Sequence, residues 1–87
     1  MILEFVTAAM TKAKYRLIKN GDQPYYGEIA PCRGVWATGR TREACRRELQ
    51  EVLDGWIALR LRRGLAIPVI AGKTVRPLTR MSVGGKT

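Results

Sequence analysis

The sequence predicts a small α+β domain: an antiparallel sheet of three or four strands covered by one long helix, with an extra helix in front. Three observations carry this. The chain has 87 residues, enough for one core and little more. Between Lys14 and Thr38, short β-prone runs are separated by turn residues. From Arg42 to Arg63, apolar residues return at helical spacing between a start and a stop signal. An apolar fraction of 46% with 26% charged residues is ordinary globular usage, so a core can form. A domain of this size hides only about 60 to 65% of the surface its unfolded chain exposes, so a homo-oligomer, dimer or tetramer, is expected.

Ile2, Val6, Ala9, Met10 and Ala13 recur at steps of three and four, with Phe5 beside them, and predict an amphipathic helix over residues 2 to 13. Tyr15 and Leu17 alternate with Lys14 and Arg16, and Asn20-Gly21-Asp22 supplies a turn before a second run from Tyr25 to Ala30. Pro31 stops that run, and Arg33-Gly34 turns the chain into Val35-Trp36-Ala37-Thr38, a third strand of a meander. Thr41 is a good N-cap for the long helix, Glu43 suits its amide-rich first turn, and Gly64 suits a left-handed stop after Arg60, Arg62 and Arg63. Cys45, Leu49, Val52, Leu53, Trp56 and Leu59 form the stripe expected to cover the sheet. Gly55, costly inside a helix, suggests close packing against another backbone. Ile57 and Leu61 form a smaller apolar pair off the stripe, either surface residues or a subunit contact. Either 65–70 or 73–76 could supply a fourth strand, at an edge or with its prolines at strand ends, since Pro68 and Pro77 cannot donate to a ladder. Residues 81–87, with Gly84-Gly85, read as a tail.

Sixteen Lys and Arg stand against seven Asp and Glu, a net charge of +9, with no His. Without His there is no Ser-His or Cys-His relay and no mixed Cys-His zinc site. Cys32 and Cys45 are too few for a four-thiolate site and too far apart in sequence for a redox pair, so both are expected as free thiols in a reducing cytoplasm. No cofactor is implied. The first six residues do not look like a secretory signal, and no apolar run approaches the roughly 20 residues of a membrane span.

The segment Tyr25-Tyr26-Gly27-Glu28-Ile29-Ala30-Pro31, with Gly34-Val35-Trp36-Ala37-Thr38-Gly39-Arg40-Thr41-Arg42-Glu43-Ala44 after it, resembles the HicB antitoxin N-terminal domain, and Gly64, Ile67 and Pro68 resemble the segment after the helix in that family. The resemblance covers about residues 14 to 69 and implies a partial ribonuclease-H-like fold. It also implies a homo-oligomer and the capture of a small RNA-cleaving toxin of the HicA type. It divides the chain into an N-terminal helix extension (1–13), a HicB-like domain (14–80) and a flexible tail (81–87). Two departures stand out. Where that family often has acidic residues, the first hairpin reads Lys19-Asn20-Gly21-Asp22-Gln23 and the loop before Gly34 reads Cys32-Arg33, which weakens the attraction for a basic toxin, and only about 20 residues come after the motif, so promoter binding through an added DNA-binding domain is not expected.

The expected function is therefore non-catalytic: an antitoxin-like module that blocks a small ribonuclease in the cytoplasm. Ribonuclease-H-like catalysis needs several carboxylates converging on metal ions, whereas the strands offer only Glu28 and the rest are spread along a helix, where Glu43 with Arg47 reads as an ion pair. Phe5, Tyr26, Ile57 and Leu61 are the candidate oligomer or partner contacts. The alternatives are an interaction domain with another partner, or a basic nucleic-acid binder touching phosphates through Arg60, Arg62, Arg63, Lys73, Arg76 and Arg80. Against the last stands the expectation that Tyr15, Trp36 and Trp56 are core residues, leaving only Tyr25 or Tyr26 to stack on bases.

Overall fold

The computed structural model describes residues 2–75. Two helices, α1 (Ile2–Thr11) and α2 (Arg42–Arg62), flank three strands, β1 (Lys14–Leu17), β2 (Tyr25–Glu28) and β3 (Trp36–Gly39), in an antiparallel sheet of order β1-β2-β3. This is the expected α+β architecture. Gly21, at φ +57°, makes the first turn, where Gln23 N donates to Asn20 O at 2.9 Å.

Thr41 caps α2 as expected: its backbone is extended and its Oγ1 accepts from Ala44 N at 3.0 Å. The other end closes with paired bonds from Leu65 N to Arg60 O (2.8 Å) and from Gly64 N to Leu61 O (3.2 Å). Gly64 lies at φ +68°, a left-handed cap whose amides satisfy carbonyls the helix alone leaves unpaired. Phe5, Val6 and Ala9 of α1, Ile29 and Val35, and Leu49 and Leu53 of α2 meet in one core with Ile67, Ile70 and Val75.

Several expectations need correction. The buried row of α2 is Cys45, Leu49, Leu53 and Ile57, while Leu59 is 41% exposed. That row steps by four and so runs oblique to the helix axis, which carries it off a straight stripe and takes Ile57 into the core. Phe5 is likewise fully buried. Trp36 is 54% exposed rather than core, because Val35, Ala37 and Gly39 point inward and strand alternation turns Trp36 and Thr38 outward. No fourth strand forms among the described residues. Instead Ile67 and Ile70 plug the core, and Ile70 and Lys73 exchange two 2.8 Å bonds around Ala71-Gly72. Gly55 has no neighbour within 4 Å of the position a Cβ would occupy, so it marks no close backbone approach. Glu43 and Arg47 form no ion pair; the pairs among the described residues are Arg40–Asp22 (3.4 Å) and Lys73–Glu4 (3.9 Å). No helix among the described residues is long and apolar enough to cross a membrane.

Candidate functional site

The sheet has one covered face and one open one. Tyr15, Gly27 and Ala37 are register partners on the side facing α2, where Cys45 Sγ donates to Ala37 O at 3.5 Å. The open side carries Lys14, Glu28 and Trp36 in one row and Arg16, Tyr26 and Thr38 in the next. Here the rings of Tyr26 and Trp36 stack with centroids 6.1 Å apart and planes 23° from parallel, and the Arg16 guanidinium lies 4.9 Å from the Tyr26 centroid. Tyr26 Oη donates to Glu28 Oε1 at 2.8 Å, and this bond is the main cause that raises the Tyr26 pKa. Thr38 Oγ1 donates to Gln23 Oε1 at 2.9 Å. Beside the stack lies a shallow depression of about 260 Å³ bounded by Tyr26, Glu28, Arg33 and Trp36.

The β3 edge is the second feature. Ile29 N donates to Val35 O, so by strand alternation Ala37 and Gly39 face β2, while the backbone groups of Trp36 and Thr38 face away from the sheet. An open hollow of about 560 Å³ runs along this edge, lined by Gln23, Trp36, Ala37, Thr38, Glu48 and Val52. An unpaired edge of this kind is a template for another strand.

The residues singled out from sequence fare unevenly. Phe5 and Ile57 belong to the core, which removes them as surface contacts; Tyr26 is half-buried on the open face, and Leu61 half-buried against the core. The basic residues expected to touch phosphates differ in their surroundings. Arg60 Nε donates to Ala66 O at 2.7 Å and its guanidinium lies 5.0 Å from the Trp56 centroid, Lys73 reaches Glu4, Arg62 and Arg63 are exposed, and Arg76 and Arg80 lie outside the described residues. Trp36 as a surface residue and the free edge of β3 escape the sequence reading. The Val35–Gly39 alternation, in which small or aliphatic residues take every second position, is the signal that marks Trp36 as outward.

Both cysteines are free and buried. Burial pushes the Cys32 thiol up to about 11, with Arg60 acting weakly against it, and burial also raises Cys45, so neither is poised as a nucleophile. No group of three or more Cys, Asp or Glu side chains converges as metal ligands among the described residues.

No curated protein matches the chain. Among solved structures it is similar to TTHA0281 from Thermus thermophilus, whose crystal structure aligns with a TM-score of 0.81 at 36% identity, over 86% of this chain and 91% of that one. The family model described as UPF0150-like matches residues 4–68, which span most of α1, the whole sheet, α2 and the start of the segment that plugs the core; the chain belongs to the UPF0150-like family.

Proposed function

We propose that the chain is a non-catalytic binding module that forms a homo-oligomer and blocks a small HicA-type ribonuclease in the cytoplasm. The observation that carries this reading is the β3 edge, which no strand pairs among the described residues: Trp36 and Thr38 turn backbone donors and acceptors outward beside an open hollow. An extended partner segment adding there would be held by main-chain bonds and chosen by the side chains of the hollow. The HicB resemblance of residues 25–44 ends on this strand and the start of α2, which supports the same reading. Charge supplies little of the expected attraction, because Asp22 of the first hairpin is paired with Arg40. The contact is apolar and main-chain in character, and it resists salt.

The test is capture on the tagged chain at about 0.5 M salt, where exposed charge contacts are screened, and then an RNA-cleavage assay on the retained material. The expected result is one stoichiometric small protein that cleaves RNA and is inhibited on mixing with this chain. Thr38→Pro removes an outward-facing N–H without touching the bonds to β2, so it should abolish inhibition while the chain stays folded. Retention of no protein, or of one without ribonuclease activity, overturns the reading.

A further inference from the structure

The open sheet face reaches from the β3 edge, which the ribonuclease reading uses, across β2 to β1. Arg16, Tyr26 and Trp36 form a continuous layer across three neighbouring strands, cation over ring and ring beside ring. Trp36 ends that layer at 54% exposure, so a planar group can extend the stack over its free surface. The depression beside it, about 260 Å³, is smaller than the roughly 300–1,000 Å³ of a small-molecule pocket and suits a single ring system. Its polar wall is Glu28, whose Oε1 already accepts from Tyr26, leaving the other oxygen to accept from an amino group. Lys14 and Arg16 on one side and Arg33 on the other place cations around this spot, and all three are exposed.

We infer that the open face of the sheet, centred on Trp36 and the depression between Tyr26, Glu28 and Arg33, binds single-stranded RNA by stacking an unpaired base. The charge of the face matches phosphates, and aromatic rings on an uncovered sheet match bases that are splayed out rather than paired. RNA is favoured over DNA because Gln23 Oε1, which lines the neighbouring hollow with Trp36 and keeps a second lone pair beside its bond from Thr38, can accept from a 2′-hydroxyl that deoxyribose lacks. The inference does not rest on the ribonuclease reading, and its test contains no partner protein.

The probe is a fluorescently labelled single-stranded RNA of about 12 nucleotides, within the range such surfaces occupy, titrated with the full chain at about 0.1 M salt and monitored by anisotropy. Binding should weaken about five- to one-hundred-fold in Trp36→Ala and stay within about twofold in Trp36→Phe, which keeps a ring. Three phosphate contacts predict a slope of about −2 for log affinity against log salt. In Trp56→Phe, where Trp36 is the only remaining indole of the two, RNA should quench its emission. Duplex RNA and single-stranded DNA of the same sequence should bind more weakly. Equal binding to the duplex, equal binding by Trp36→Ala, or no quenching would overturn the proposal. Equal binding of DNA would overturn the assignment to RNA. Absence of RNA binding, with this face protected from exchange in a complex with the captured ribonuclease, would return it to protein contact.

Discussion

The two faces of the sheet are built on opposite principles. On the face covered by α2, β2 and β3 contribute Gly27, Ala37 and Gly39, and the helix comes so close that a Cβ on Gly39 would lie 2.4 Å from the Cys45 amide nitrogen. On the open face the same two strands carry Tyr26, Glu28, Trp36 and Thr38. Small residues let backbone approach backbone, and the bulkier side chains of β3 are left to the side that no element covers among the described residues. The contrast separates stability from recognition: the covered face holds the domain together, and the open face is available to other molecules.

The sharpest way to break this contrast is to enlarge the covered face. Gly39→Val places atoms inside the helix backbone, which cannot rotate aside as a side chain could, and should cost about 3 kcal/mol or more, a large part of a small domain's total stability. Urea unfolding would read it, and an unchanged midpoint would show that α2 does not depend on this approach.

A second test uses Cys32, the buried thiol in the loop that joins β2 to β3. Because the folded Cys32 pKa is raised to about 11 from 9.0, its contribution is complete below pH 9 and is lost as the pH rises through 11. Two pH units correspond to about 2 to 3 kcal/mol at most. Stability should therefore fall between pH 9 and 11, and Cys32→Ala should flatten that fall. Part of the slope should remain, because Tyr15, Tyr26 and Cys45 are raised in the same direction.

The smallest effect is expected where the contrast is most visible. Trp36→Ala removes the largest side chain of β3 but only from the open face, so it should cost about 0.5 to 1 kcal/mol, chiefly the stack with Tyr26. Thermal unfolding of Trp36→Ala beside Gly39→Val compares the two faces within a single four-residue strand. A larger loss in the tryptophan variant would contradict the division of roles.

Much of this architecture is legible in the sequence because its signals are local. The Thr41 cap, the Gly64 stop and the turn at Gly21 each act within a few residues, and each stands where the sequence places it. The candidate site is less legible. Tyr26 reads as outward, but the size and hydrophobicity of Trp36 point to the core, when its place in the alternation opposes that of Val35 and Ala37. Likewise Ile57 reads as a surface residue on a straight helical projection, whereas the oblique row buries it.

By itself, then, the sequence determined the elements, their caps and their order, since hydrogen-bonding ends, turn conformations and apolar periods are properties of short stretches of chain. Only the tertiary structure decided which face of each element would be covered. Once α2 settles on the glycine-lined side of the sheet and residues 67 and 70 fill the core beside α1 instead of extending a strand, Trp36 and Tyr26 are left together on the other side. That outcome depends on which distant surfaces fit most closely; the alternation within β3 marks which residues share a face, but not that this face stays uncovered.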